Sequence, residues 1–323
     1  MQNQPFFLNE FYHIISTLKI KGVKIKTIAI LGPTASGKSA LSIELAKNHN
    51  CAILSLDSLA IYKEIDIASA KPTLAERGNI PHFGIDVIDV DTPFNVTTFI
   101  DLYKESVNFC KEHSKNLIIV GGTGFYLKTL MEGISELPKI DDEVKKKVED
   151  QMSDLQNAYA FLKEQDEEYA KNLMPTDRYR IEKALTIFYQ TGTAPSLYFK
   201  NNPPKPVAKD LDLFEISMDK DLLNRRIELR TDQMFEMGLV DEVANLEYKY
   251  GRKPNPMKAI GIKEILDYLD GHYSLKEARE KIIIHTRQLA KRQRTFNKTQ
   301  FPPHIQDSPK ILKRYIKATL GHL

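Results

Sequence analysis

The stretch that decides the fold runs from residue 25 to residue 47. Ile25-Lys-Thr-Ile-Ala-Ile-Leu31 is a β-branched, apolar run, and Gly32-Pro-Thr-Ala-Ser-Gly-Lys-Ser39 follows it directly. Ala40-Leu-Ser-Ile-Glu-Leu-Ala-Lys47 comes next and has the spacing of a helix. The first run therefore predicts a buried parallel strand, the second a glycine-rich turn, and the third the helix that this turn opens.

The middle run fits the phosphate-loop pattern G-x-x-x-x-G-K-[ST] in full, between a strand and a helix as that pattern requires. Its glycines let backbone N–H groups curl inward toward phosphate oxygens, and the helix directs its positive end at the same anion. The lysine adds a mobile charge, and the serine hydroxyl can bind Mg²⁺. The alternative is a glycine-rich turn without a ligand. We predict a Mg²⁺ cofactor on Ser39 and a diphosphate bound by Gly32, Pro33, Thr34, Ala35, Ser36, Gly37, Lys38 and Ser39.

Further strands and helices alternate along the chain. A helix is predicted over residues 97–112, and apolar runs predict strands at Ala52–Leu56, Ile85–Ile88, Leu117–Val120 and Leu211–Ser217. Residues after Asp219 have helical patterns throughout. This order is typical of an α/β fold, here a P-loop NTPase-like parallel sheet flanked by helices.

The pattern changes between residues 139 and 190, where charged, helix-forming sequence replaces the β-branched runs. Asp141-Asp-Glu-Val-Lys-Lys-Lys-Val148 places acids before lysines, the order that complements a helix dipole. We therefore predict an all-helical insertion at 139–190 in a core made of residues 25–138 and 191–323, with a helical C-terminal part. Residues 1–24 are an N-terminal extension whose sequence predicts no element.

The composition excludes several classes of protein. The 323 residues are 42% hydrophobic and 28% charged, values ordinary for a globular chain and unlike a fibrous or wholly disordered one. No apolar run reaches the roughly 18 residues of a membrane span, and no secretory signal opens the chain. The two cysteines, Cys51 and Cys110, cannot form a disulfide framework or a four-cysteine zinc site. A cytoplasmic protein without a membrane partner is expected.

The net charge of +3 conceals an uneven distribution. From Lys281 to the C-terminus there are ten Lys and Arg against one acid, Asp307, which gives +9. The rest of the chain has 36 basic and 42 acidic residues, which gives −6. A basic end favours a polyanionic partner, although a solvated, lysine-rich helix explains the same charge.

An acid stands where the second predicted strand ends. Asp57 follows Leu56, whereas Leu117–Val120 leads into Gly121-Gly-Thr123 without the acid that helps to hold Mg²⁺ in ATP-hydrolysing enzymes. The carboxyl ends of strands border the ligand crevice of an open α/β sheet, so Asp57 is placed to contact a second substrate. This favours group transfer from a diphosphate donor to an acceptor held by Asp57. The alternative is that Asp57 only caps the segment that begins at Ser58.

Four further stretches are informative as a set. They are Ser55-Leu-Asp-Ser-Leu-Ala-Ile-Tyr62, Ala68-Ser-Ala-Lys-Pro72, Val120-Gly-Gly-Thr-Gly-Phe-Tyr126 and Thr286-Arg-Gln-Leu-Ala-Lys-Arg-Gln-Arg-Thr-Phe296. With the phosphate loop, and in this order, they resemble the bacterial tRNA dimethylallyltransferase family over nearly the whole chain. The chain departs from the family at Ser39, where threonine is commoner, and in residues 1–24, which have no counterpart.

The resemblance implies transfer of a dimethylallyl group from dimethylallyl diphosphate to N6 of adenosine 37, beside the anticodon of tRNAs that read codons beginning with U. Diphosphate is released. Asp57 is implied as the general base, a role worth roughly 10²–10⁴-fold in rate. Lys38 and Mg²⁺ on Ser39 would stabilise the leaving group. Thr34 is implied to lie beside Asp57, and Arg230 to reach the diphosphate from a helix.

The resemblance also implies a monomeric enzyme whose macromolecular partner is the tRNA anticodon stem-loop. Basic residues would bind the RNA backbone, aromatic residues would stack on unpaired bases, and the insertion at 139–190 would grip the stem. The implied RNA contacts are Asp57, Ser58, Leu59, Ala60, Thr123, Lys145, Tyr179, Arg180, Lys183, Lys258, Lys263, Lys291, Arg292, Arg294 and Lys298.

Three other functions stay open at this point. A small-molecule P-loop kinase would use ATP, and Asp57 would activate a hydroxyl. An adenylate isopentenyltransferase would prenylate a free nucleotide. Neither of these enzymes needs the basic tail or the insertion. A non-catalytic RNA-binding protein would keep the loop as an anion site, which leaves Asp57 unexplained. For Arg230, the alternative is a surface pairing with neighbours such as Arg226 or Glu228.

Overall fold

Six parallel strands form one sheet in the order β3-β2-β4-β1-β5-β6. Their bounds are β1 (Thr27–Leu31), β2 (Cys51–Leu56), β3 (His82–Phe83), β4 (Asn116–Gly121), β5 (Asp212–Ile216) and β6 (Ile305–Asp307). The computed structural model describes residues 25–209 and 211–321, so the N-terminal extension 1–24 lies outside the described residues. The expected parallel sheet flanked by helices is confirmed.

Fourteen α-helices are described within residues 25–209 and 211–321. In chain order they are α1 (Lys38–Asn48), α2 (Leu74–Arg77), α3 (Val96–Glu112), α4 (Gly124–Glu132), α5 (Asp142–Gln151), α6 (Leu155–Gln165), α7 (Glu167–Ala170), α8 (Arg178–Thr191), α9 (Pro195–Asn201), α10 (Lys220–Glu236), α11 (Leu239–Tyr250), α12 (Ile262–Leu269), α13 (Leu275–Gln300) and α14 (Pro309–Leu320). A 3₁₀ helix covers Asn255–Lys258. None of them has the length and apolar character that crossing a bilayer requires.

The sheet is buried on both faces, which explains why its strands are continuous apolar runs. Ile28 and Ile30 of β1 pack with Leu45 of α1 and Ile316 of α14 in one cluster. The alternate residues of the strands are also buried, and α3 packs on β2 and β4. Each fully buried leucine or isoleucine contributes about 1.5–3 kcal/mol. The strand ends that border the candidate site are therefore rigidly held.

The described residues fold as two compact units. The core unit contains residues before Thr129 and those after Lys209, and the helical unit is Thr129–Lys209. The helical unit has its own apolar cluster, which includes Val148, Leu162 and Ile181. It is wider than 139–190 on both sides. The two added flanks contact each other, since the N–H groups of Val207 and Ala208 donate to the Leu130 carbonyl (2.9 and 2.8 Å).

Two predictions about secondary structure were wrong. Residues 85–88 do not form a strand, because Asp86 adopts a left-handed φ of 57° and only Ile88 bridges to Tyr62. The strand in this region is β3, directly before them. The chain after Asp219 is not entirely helical either, since β6 adds to the sheet edge by pairing with β5. With only three residues, β6 is too short to show the alternation of apolar and polar residues that predicts a strand.

Candidate active site

The phosphate loop connects β1 to α1 at the carboxyl edge of the sheet. The first hydrogen bond of α1 joins the Leu41 N–H to the Gly37 carbonyl (3.1 Å). The N–H groups of the preceding helical residues therefore have no partner inside the helix. Together with the positive end of the helix dipole, they make this end of α1 a site for an anion.

Two cations lie beside the loop, and both are bonded to neutral acceptors. Lys38 Nζ donates to the Pro33 carbonyl (2.8 Å). Arg230, on α10, donates from Nη1 to Thr34 Oγ1 (3.1 Å) and from Nη2 to the Ser69 carbonyl (3.5 Å). Within the described parts of the chain, no carboxylate forms a salt bridge with either cation. Their charge is therefore available to a bound anion.

The pKa values of both cations are lowered, chiefly because the side chains are buried. Burial and the nearby Arg230 lower the pKa of Lys38 to about 8, although Asp57 and Glu215 act in the opposite direction. Burial also lowers the pKa of Arg230, against the charge of Asp57. A buried cation is costly without a counter-ion, so a polyanion bound between the two would relieve both.

Asp57 stands at the end of β2 with one carboxylate oxygen engaged. Its Oδ1 accepts the N–H groups of Leu59 (2.9 Å) and Ala60 (3.2 Å), so it does cap the turn that begins at Ser58. No other hydrogen bond to this carboxylate is present in residues 25–209 and 211–321. Asp57 therefore keeps Oδ2 for a ligand, and capping does not exclude a chemical role.

Two cavities in the core unit meet at Asp57. Lys38 and Ser39 line the first, which we call the loop cavity. Thr123 and apolar side chains, among them Ile227, Met234, Ile260, Ile282 and Leu289, line the second, which we call the side cavity. Both cavities are lined by Thr34, Asp57, Ser69 and Arg230. This layout gives two ligands separate approaches to one carboxylate.

Two glycines at the end of β4 lie in close contact with Leu56 and Gln293. β4 lies between β1 and β2 in the sheet. A Cβ on Gly121 would lie 2.3 Å from the Leu56 carbonyl oxygen, and one on Gly122 would lie 2.2 Å from Gln293 Nε2. Neither position has room for a side chain without displacing its neighbour, which explains the Gly-Gly pair physically.

Three contacts that support this site were not predicted from the sequence. The Glu242 carboxylate, on α11, accepts three successive backbone N–H groups, from Asp66, Ile67 and Ala68, at 2.7–2.9 Å. It thereby fixes the segment that leads to Ser69. Arg226 Nη1 donates to the Ser36 carbonyl (3.2 Å). The third contact is the hydrogen bond from the Thr34 N–H to Gln293 Oε1 (2.8 Å).

The donor set at the loop fits a magnesium ion. The Ser39 hydroxyl lines the loop cavity, and the Ser36 hydroxyl is buried without a hydrogen-bond partner among the described residues. Mg²⁺ prefers hard oxygen ligands and is commonly held by one or two protein oxygens plus substrate phosphates. Ser39 is the residue that would hold it here.

Known families and proteins similar to this chain agree with the geometry of the site. The family model described as IPP transferase matches residues 60–300. The chain belongs to the IPP transferase family. It is 55% identical over 278 residues to the tRNA dimethylallyltransferase of Nautilia profundicola, covering 86% of this chain and 94% of that protein. It is 54% identical over 295 residues to that of Sulfurimonas denitrificans, covering 91% and 99%.

Solved structures of the IPP transferase family have the same fold. The tRNA isopentenylpyrophosphate transferase of Bacillus halodurans matches with a TM-score of 0.67 at 31% identity, over 92% of this chain and 97% of that one. A eukaryotic dimethylallyltransferase acting on tRNA matches with a TM-score of 0.77 at 29% identity, over 85% and 70%. The family assignment thus rests on sequence and fold together.

The RNA contacts implied for this IPP transferase member in the core unit fall into two groups. Ser58, Leu59 and Thr123 line the side cavity with Asp57, whereas Ala60 is buried and lines the loop cavity. The basic residues are all exposed: Lys258, Lys263, Lys291, Arg292, Arg294 and Lys298. In the core unit, the implied basic contacts are therefore exposed to solvent, and the other implied contacts line the two cavities.

In the helical unit, the implied RNA contacts are surface side chains with weak local partners. Lys145 pairs with Asp142 (2.7 Å), and Arg180 pairs with Asp177 (3.5 Å). Lys183 Nζ lies 5.6 Å from the ring centre of Tyr179, whose side chain is largely exposed. Exposed ion pairs contribute little stability, so an RNA phosphate can replace the acids at small cost.

Proposed function

We propose that the chain transfers a dimethylallyl group from dimethylallyl diphosphate to N6 of adenosine 37 in tRNA and releases diphosphate. The observation that carries this is the shared space at Asp57, where an anion site with two cations bonded only to neutral acceptors meets a carboxylate with a free oxygen among the described residues. Curated relatives that are more than half identical to the chain have the name tRNA dimethylallyltransferase. A structural neighbour is described as acting on tRNA.

Each part of the site has a defined task in this reaction. The donor's diphosphate would lie in the loop cavity against the backbone N–H groups, Lys38 and Arg230. The adenine would enter through the side cavity, turned out of its stack at a cost of a few kcal/mol. The N6–carbon bond forms as the carbon–oxygen bond to the diphosphate breaks, and the diphosphate keeps the electron pair. The N6 proton passes to Asp57 Oδ2. Mg²⁺ held by Ser39 would neutralise part of the leaving group's charge.

The RNA would be held by both units of one chain. We infer that the enzyme acts as a monomer, and a tRNA-modifying enzyme of this kind would act in the cytoplasm. The basic residues on the outer side of α13 would bind the anticodon loop backbone, and the helical unit would grip the stem.

Four incubations separate this function from its alternatives. Purified protein with Mg²⁺ receives either labelled dimethylallyl diphosphate or γ-labelled ATP, and either unmodified tRNA or AMP. We expect label on RNA in one incubation, the one that contains both dimethylallyl diphosphate and tRNA. Label on AMP would indicate an adenylate isopentenyltransferase, and phosphate transfer from ATP would indicate a kinase. RNA binding without any transfer would indicate a non-catalytic protein.

Capture of the diphosphate should weaken at alkaline pH. The pKa of Lys38 is lowered by burial to about 8, so this side chain is charged below that pH and progressively neutral above it. We expect kcat/KM for dimethylallyl diphosphate, which reports the free enzyme, to fall as the pH rises through about 8. Measurement at saturating tRNA from pH 6.5 to 9.5 checks this. A flat profile across that range would remove Lys38 from diphosphate capture.

The basic run on α13 should contribute to the salt dependence of RNA binding. Replacing Lys291 and Arg292 with alanine is expected to weaken binding of an anticodon stem-loop. The log–log salt slope should decrease by about 0.7 for each single-strand phosphate that these two side chains neutralise. Binding titrations from 50 to 300 mM salt, by fluorescence anisotropy, measure the slope. The matched control replaces Lys310 and Lys317 on α14 with alanine. These lysines are also exposed, and their replacement removes the same charge. Equal slopes in the two double variants would show that only net charge matters.

A further inference from the structure

Gln293 lies in the middle of the basic run 291–298, yet its side chain contacts the phosphate loop. Its Oε1 accepts the backbone N–H of Thr34 at 2.8 Å, across 259 residues of sequence. Thr34 is in turn held through its hydroxyl, which accepts from Arg230 Nη1 at 3.1 Å. The two bonds fix both the backbone and the side chain of a loop residue that lines both cavities.

The other end of the Gln293 amide lies against the turn after β4. A Cβ on Gly122 would be 2.2 Å from Nε2 and 3.1 Å from Cδ of Gln293. The amide is therefore placed between the loop that follows β1 and the turn that follows β4, and it occupies the space that a side chain at Gly122 would take.

The period of helix α13 explains why Gln293 differs from its neighbours. Thr286 and Leu289 line the side cavity, Ala290 is buried, and Asn297 is buried and donates to Glu215 (2.8 Å). Gln293 falls on this inner side at three- and four-residue spacing. Lys291, Arg292, Arg294 and Lys298 are exposed on the remaining surface of the helix.

We propose that Gln293 is a positioning residue for the diphosphate site rather than an RNA contact. It holds the Thr34 backbone so that the loop keeps its anion-binding shape and Thr34 stays within reach of Arg230. The proposal rests on the proposed function for the identity of the anion. It assigns adjacent residues of one helix to different substrates. Gln293 would act on the diphosphate site, whereas the exposed Arg292 and Arg294 would contact the RNA.

The test measures binding of inorganic pyrophosphate with Mg²⁺ by calorimetry, and of an anticodon stem-loop by anisotropy. Gln293→Met keeps the side-chain length and removes the acceptor, and we expect pyrophosphate affinity to fall about tenfold, as for the removal of one hydrogen bond. RNA affinity should stay within about twofold, because the net charge is unchanged. Gln288→Met is the matched control on the exposed side of α13, and it should leave pyrophosphate affinity unchanged.

A second variant reaches the same contact without altering Gln293. Gly122 does not have a positive φ, so Gly122→Ala is allowed by the backbone, but its methyl group would displace the Gln293 amide. We expect a similar loss of pyrophosphate affinity, and a double variant weaker by much less than the product of the two effects. If Gln293→Met lowers the thermal midpoint of the protein, Gly122→Ala still tests the contact between Gln293 and Thr34.

Three results would overturn the inference in distinguishable ways. If the wild-type protein binds pyrophosphate and Gln293→Met binds it equally well but loses RNA affinity, Gln293 is an RNA contact and the proposed function stands. If the wild-type protein does not bind pyrophosphate at all, the proposed function fails and this inference fails with it. An equal loss of both affinities would mark a merely structural role and also contradict the inference.

Discussion

Replacing Asp57 with asparagine is expected to lower the rate of prenyl transfer by roughly 10²–10⁴-fold, the contribution of a general base. Asparagine keeps an Oδ1 that can accept the N–H groups of Leu59 and Ala60, so the turn after β2 should survive. An amide cannot take up the N6 proton. Single-turnover transfer with saturating tRNA measures the effect, and stem-loop affinity should change by less than a few fold.

Asp57→Ala is the companion variant that separates chemistry from capping. It removes the proton acceptor and the cap together, so it should be as slow as Asp57→Asn and less stable by about 1 kcal/mol. If Asp57→Asn transfers the prenyl group at a near-normal rate while Asp57→Ala does not, Asp57 acts only as a cap.

Replacing Lys38 with glutamine is expected to lower kcat/KM for dimethylallyl diphosphate by about 10²–10³-fold, as for loss of one donor to a developing oxyanion. Lys38 is a buried cation whose ammonium group donates to the neutral Pro33 carbonyl. Its charge therefore serves a ligand rather than an internal ion pair. Steady-state kinetics with varied dimethylallyl diphosphate at saturating tRNA measure the loss.

Lys47→Gln is the matched control, because it removes the same charge from the exposed opposite end of α1. It should leave kcat/KM unchanged. The thermal midpoint of Lys38→Gln should not fall, since removal of a buried charge relieves its desolvation. An unchanged kcat/KM in Lys38→Gln would mean that the loop does not bind the diphosphate.

Much of the fold was predictable because its signals are local. The run 25–31, the glycine-rich loop and the helix after it follow one another without a gap, and each has a distinct pattern. Asp57 was placed near the loop by a general property of parallel sheets, whose strands end at one edge. In the structure, Asp57 and Thr34 of the loop line the same two cavities. The topology of the sheet was therefore enough to associate Asp57 with the loop.

The supporting contacts were not predictable because their partners are far apart in sequence. Glu242 binds N–H groups that lie 174 to 176 residues earlier, and Gln293 binds one that lies 259 residues earlier. A single sequence has no signal for such pairs. In addition, a glutamine among arginines and lysines suggests an RNA contact. The orientation of α13 in the structure shows instead that this glutamine faces the phosphate loop.

Identification of the product tests the central claim most directly. An anticodon stem-loop with adenosine at position 37 is incubated with the protein, Mg²⁺ and labelled dimethylallyl diphosphate, then digested to nucleosides for mass spectrometry. The account predicts N6-dimethylallyladenosine with one diphosphate released per transfer, no requirement for ATP, and no product when guanosine replaces that adenosine. Label at another nucleotide, or at an atom other than N6, would contradict it.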